Sequence, residues 1–185
     1  MKLSVPYYSQ FDAIKIPEWK ERGCAVTCLK MCLDFAKPDA IPSIDDLIKE
    51  GEIINGYTPN IGWRHEGLVR LAHNHGIPAY PEEFRSVEVN LSDKTFSKSK
   101  FEKDLIDKGV LRIRDSIDRS VPAIVSISTN LGFHQIVIIG YEDNVGEVSG
   151  FFVHDPDNRT GEKKEVFVTL TDFLKQWRNF AIFVG

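Results

Sequence analysis

From Cys24 to Ala36 the polar side chains Thr27, Lys30 and Asp34 recur at spacings of three and four, and nearly everything between them is apolar. That pattern predicts a largely buried helix with one narrow polar stripe, closed by Pro38. Ser43-Ile44-Asp45-Asp46 reads as a capping-box start for a short helix to about Lys49. Gly51 to Gly62 reads as a loop, with Asn55-Gly56 and Pro59-Asn60 as turn signals. His65 to His75 is amphipathic and is ended by Gly76 and Pro78. Ser99 to about Asp118 is expected to be helical, with a break near Gly109.

The period then changes. Val121–Ser128, His134–Tyr141, Gly150–His154, Glu165–Leu170 and Phe180–Val184 are short β-rich runs, and Thr171-Asp172 is expected to cap a helix through Trp177. The outline is α+β: an N-terminal helical part packed on a C-terminal, mostly antiparallel sheet.

Composition narrows the function. The chain has 185 residues, enough for one domain over 1–185, with 42% hydrophobic residues and twelve Phe to fill a core. A net charge of -4 argues against a nucleic-acid partner. The lysines from Asp93 to Lys108 alternate with acids and read as a solvated helix face. No run is long and apolar enough to span a membrane, and the N-terminus lacks the apolar centre of a signal peptide. The expectation is a cytoplasmic location for the chain as given, with secretion of a longer precursor left open. Oligomeric state is not legible.

Cys24, Cys28 and Cys32 lie at spacings of four, which rules out a disulfide scaffold. Their C-x3-C-x3-C spacing does not match the C-x2-C of common zinc sites, so neither metal nor cofactor is expected. Asp155-Pro156-Asp157-Asn158 reads as an Asx-rich turn rather than a calcium loop. Cys24 sits at the start of its helix, where free N–H groups and the helix dipole favour an anion. Cys28 and Cys32 lie further in and read as core. The pattern alone does not choose between a reactive Cys24 and three core cysteines.

A thiolate nucleophile needs a His base, and the His needs an orienting partner. His65, His73 and His75 read as exposed surface on one helix. His134 opens an apolar strand after the turn Leu131-Gly132-Phe133, and His154 ends the next. If Glu142 to Glu147 is the connection and Tyr141 faces Val148, His134 falls opposite Asp155 and His154 points to the other face. A one-residue slip would reverse that choice. Gln10, in Tyr7-Tyr8-Ser9-Gln10, is a candidate oxyanion donor beside the Cys24 N–H, against the plainer meaning of an exposed loop Gln.

Four segments together resemble the bacterial bacteriocin-processing (double-glycine) peptidase-like family of papain-like cysteine peptidases. They are Val5-Pro6-Tyr7-Tyr8-Ser9-Gln10, Gly23 to Met31, His134 to Tyr141, and Val153-His154-Asp155-Pro156. The resemblance implies a papain-like fold and a peptide or protein substrate. It gives Gln10 to the oxyanion hole, Cys24 to attack, His134 to proton transfer and Asp155 to orientation. A peptide-binding module without activity, or an acyltransferase using the same groups, would share these parts. Ala25-Val26 stands where the family usually has Gly-Pro, and the interval from Gln10 to Cys24 is long. These departures point away from a double-glycine leader as substrate.

Overall fold

In the computed structural model, which describes residues 1–130, 132–161 and 163–185, helices and strands alternate more than the sequence suggests. The order is α1 (Gln10–Ala13), a 3-10 turn (Pro17–Trp19), α2 (Cys24–Ala36), α3 (Ile44–Ile53), β1 (Tyr57–Thr58), β2 (Gly62–Trp63), α4 (His65–Asn74), β3 (Ala79–Glu83), β4 (Val87–Asn90), β5 (Thr95–Lys98), α5 (Glu102–Asp118), β6 (Ala123–Thr129), β7 (Gly132–Asn144), β8 (Glu147–His154), β9 (Val166–Thr169), α6 (Leu170–Gln176) and β10 (Trp177–Val184). A six-stranded antiparallel sheet runs β3-β10-β6-β7-β8-β9. Helix α2 packs on β7, β6 and β10. Residues Gln135 to Gly140 of β7 are all buried, so both faces of the sheet are covered at its centre. That is why this strand reads as a continuous apolar run rather than an alternating one.

Several expectations are corrected. Strand β3 belongs to the sheet although it lies among the helices. It carries Pro81 and two glutamates, and is tolerated because it is an edge strand. The lysine-rich stretch begins as the β4–β5 hairpin, not as a helix face, and α5 starts only at Glu102. Helix α5 is unbroken at Gly109, where a Cβ would lie 2.6 Å from Trp177 and 2.7 Å from Phe84; the glycine serves close packing. Thr169, not Thr171, caps α6, accepting a hydrogen bond from the Asp172 N–H at 3.2 Å. Helix α3 outruns Lys49 to Ile53, and the supposed loop after it contains the β1–β2 hairpin.

The β7–β8 connection is also shorter. Asn144 pairs with Glu147, leaving Val145 (φ 55) and Gly146 (φ 86) as a two-residue turn with both φ positive. Val148 therefore faces Asp143, and His154 faces Val137. The register differs from the expected one by two places. One bulge on each strand cancels the other, so outside the short stretch between the two bulges the side chains keep their expected faces. Gly132 and Phe133 begin β7 rather than forming a turn; Leu131 lies outside the described residues.

The N-terminal segment pairs with β7 just beyond the start of β6. Lys2 bridges to Gly140, and Leu3 donates its N–H to the Ile139 carbonyl at 2.7 Å. A Cβ at Gly140 would meet the Met1 carbonyl at 2.5 Å.

Candidate active site

Cys24 is the first residue of α2, and its N-cap Gly23 supplies no side-chain hydrogen bond to the helix's first N–H groups. The dipole and these N–H groups lie at the helix end that carries the sulfur. Gly23 is required by space: a Cβ there would overlap the Ile14 side chain and stand 3.0 Å from the Trp19 carbonyl. Cys24 is half-buried and packs at the edge of the core, whereas Cys28 and Cys32 are fully buried. Burial pushes both deeper thiols up, helped at Cys28 by the charges of Cys24, Cys32 and Asp155, and the Cys28 Sγ donates to the Gln135 carbonyl at 3.2 Å.

His134, near the start of β7, joins two of the predicted groups. Its Nε2 bonds Asp155 Oδ1 at 2.6 Å, and Cys24 lies close enough to act on the ring. With Nε2 engaged, Nδ1 is the nitrogen left for the thiol. Burial opposes charge on the ring, but the hydrogen bonds and negative charges of Asp155 and Cys24 outweigh it and push the imidazole up to about 10. Burial likewise disfavours the ionised Asp155, yet His134, the Asp157 N–H at 2.9 Å and the Lys163 Nζ at 3.0 Å hold its carboxyl below the ordinary value. The sequence reading did not find Lys163: it lies eight residues beyond Asp155 and reaches it only because the loop returns, with the Asp155 N–H donating to the Lys163 carbonyl.

His154 points to the opposite face and is sealed. The Glu165 N–H donates to its Nδ1 at 3.0 Å, so Nε2 carries the proton given to the Val5 carbonyl at 3.0 Å. Burial lowers its pKa, and the ring is a neutral clasp between segments.

Gln10 is not an exposed loop residue; it is 3% exposed and opens α1. Its N–H donates to the Pro156 carbonyl at 2.9 Å, which ties α1 to the Asp155 loop. Its Nε2 donates to the Lys20 carbonyl at 2.6 Å, leaving a second amide hydrogen, while Oε1 is buried without a partner among the described residues. Gln10, Cys24, His134 and Asp155 all line one cleft of about 930 Å3.

Cys24 also borders a second cleft of about 470 Å3, lined by Trp63, His65, Ser126, Phe133, Gln135 and Arg178 among others. His65 is thus not simple surface: it stacks on Phe180 with ring centroids 3.7 Å apart, and burial lowers its pKa. His65 and Arg178 come together only through the β10 fold, and no spacing in the sequence announces them. His73 bonds the Ala79 backbone and His75 bonds Glu50. Among the described residues no group of His, Cys, Asp and Glu is placed to hold a metal ion. No described helix is long and apolar enough to cross a membrane.

The sequence matches the Peptidase_C39 like family over residues 2–181. No curated protein matches it. Solved structures with a similar fold include the peptidase domain of Streptococcus ComA, a bi-functional ABC transporter involved in a quorum sensing pathway. The two share 17% identity at a TM-score of 0.58, over 89% of this chain and 92% of that one. Another is a double glycine motif protease from an AMS/PCAT transporter in complex with the leader peptide, at 14% identity and a TM-score of 0.55, over 99% of this chain and 92% of that one. The arrangement of helices and antiparallel sheet is that of these papain-like peptidase domains.

Proposed function

The chain belongs to the Peptidase_C39-like family of cysteine peptidases, and from that premise we propose that it cleaves a peptide or isopeptide bond through a thioester on Cys24. The observation that carries this reading is the single cleft shared by Cys24, His134, Asp155 and Gln10, with His134 bonded to the carboxylate and Cys24 close enough to act on the ring. We read residues 1–185 as one domain, in keeping with its one contiguous core.

The Cys24 sulfur attacks the scissile carbonyl carbon. The charge developing on oxygen is met by the Cys24 N–H and the spare amide hydrogen of Gln10. As the C–N bond breaks, the His134 imidazolium gives its proton to the leaving amine. A water then attacks the thioester, His134 takes its proton, and the acid leaves as the thiolate returns. Asp155 keeps the ring turned so that Nδ1 faces the sulfur, and Lys163 holds the carboxylate from its other oxygen.

The test is incubation with a proteome-derived peptide mixture, followed by mass spectrometry of new termini. Wild type is expected to generate a recurring cleavage pattern that Cys24→Ala abolishes. Peptides captured intact by both proteins, with no new termini, would instead make the chain a binding module.

A further inference from the structure

Cys24, with Glu21 and Phe133, borders both clefts. In the reading above, the leaving amine takes its proton from His134, so the leaving side of the substrate lies in the His134 cleft. The acyl side then extends across the sulfur into the smaller cleft, toward Arg178.

Two independent features of Arg178 bear on what that cleft receives. The first is how it is presented. The pairing of β10 with β6 shifts register between Trp177 and Ala181, and Asn179 within the shift has a φ of 53. Bulges beside sites re-aim side chains. Here the bulge lays the Arg178 guanidinium over Phe133, 3.6 Å from the ring centroid, and points one nitrogen at Ser126 Oγ at 3.2 Å. The same bulge stacks Phe180 against His65.

The second feature is charge. Among the described residues no carboxylate pairs with Arg178. Burial and the nearby cation Arg85 both act against its charge, and Arg85 already has Glu83 as partner. The acid lining the same cleft, Glu21, is turned to Arg159 at 3.0 Å. A half-buried guanidinium with most of its five donors unused is suited to a bidentate carboxylate. Gln135, whose amide lies 3.5 Å from His65, adds a further donor in the same cleft.

We propose that the cleft beside Cys24 binds a carboxylate on the acyl side of the substrate, held by Arg178, so that the protein prefers bonds whose acyl part is acidic. The inference rests on Cys24 being the nucleophile. The carboxylate can come from an Asp or Glu side chain upstream of the bond, or from the α-carboxylate of a γ-linked glutamyl group.

Two alkylating agents of similar size test it on the full chain: iodoacetate, which carries the carboxylate, and iodoacetamide, which does not. Each forms an S–C bond at Cys24 and expels iodide. The ratio of the two rates is expected to fall roughly tenfold in Arg178→Gln, the scale of one charge-assisted hydrogen bond. Arg178→Lys, which preserves the charge, should retain part of the ratio. Arg119→Gln, on the exposed end of α5, should leave it unchanged. Matched amides with an acyl Glu, Gln or γ-glutamyl group then identify the source, and either acidic amide should lose its advantage over Gln in Arg178→Gln. Rapid alkylation by both reagents with a ratio indifferent to Arg178→Gln overturns the carboxylate site and leaves Cys24 as nucleophile. Slow alkylation of wild type by both overturns the nucleophile and the carboxylate site together.

Discussion

The charge on His134 is the residue-scale feature with the clearest consequence in solution. Its folded-state value of about 10 lies above the ordinary 6.5, so the stability it supplies is complete below 6.5 and is lost as pH rises through about 10. Asp155 is shifted down, so its contribution is present above the ordinary carboxylate value and is lost as pH falls below that value through the lowered folded one. In NMR, the His134 ring proton is expected to stay in its protonated position at neutral pH and to titrate near 10; a midpoint near 6.5 would contradict the trio. Asp155→Asn should cost about 1–3 kcal/mol at neutral pH, with the deficit shrinking toward pH 10, as measured by denaturant unfolding. At this scale the sequence is informative where a local rule applies. Cys24 separates from Cys28 and Cys32 by its place on a helix, and His134 separates from His154 by strand parity, which survives an offset of two. Lys163, His65 and Arg178 obey no such local rule; loop return and a bulge place them.

At the scale of elements, helix and strand spans were legible where hydrophobic period and stop signals agree, as in α2 before Pro38 and α4 before Gly76 and Pro78. They were obscured where edge strands are polar, as in β3 and the β4–β5 hairpin, because a strand with one or no buried face loses its apolar signal. The β7–β8 turn supplies an expected gain. Val145 is 98% exposed at a positive φ that suits Asn or Gly far better than a β-branched residue. Val145→Asn should raise stability by about 1 kcal/mol, or roughly 2–4 °C in Tm, by calorimetry. No gain would mean the turn is not the two-residue type described. Gly23→Ala should do the reverse, costing about 1–3 kcal/mol by overpacking Ile14, while also displacing Cys24 and slowing its alkylation. A variant with wild-type stability and reactivity would show that the helix start has room to spare.

Across the whole molecule, residues far apart in the chain meet at one cleft because both ends of the chain are fastened to the sheet. The His154 clasp joins Val5 to Glu165, Tyr7 donates its hydroxyl to the Asp155 carbonyl, and Gln10 holds the Pro156 carbonyl. The two histidines should therefore separate cleanly. His154→Leu is expected to lose about 1–3 kcal/mol by stranding the buried Val5 carbonyl and releasing the Glu165 N–H, yet to keep rapid Cys24 alkylation in the folded protein. His134→Ala should also lower stability, by the bond it removes from Asp155, but unlike His154→Leu it should lose the alkylation; rapid alkylation of folded His134→Ala together with its loss in His154→Leu would reverse their roles. The most direct check on the central claim is the rate at which iodoacetamide modifies each cysteine at neutral pH, read by peptide mass spectrometry in wild type and His134→Ala. Cys24 alone is expected to react rapidly and to slow roughly tenfold or more without the imidazole, since an unassisted thiol is only a few per cent thiolate there. Equal rates in the two proteins, or faster modification of Cys28 or Cys32 than of Cys24, would contradict it.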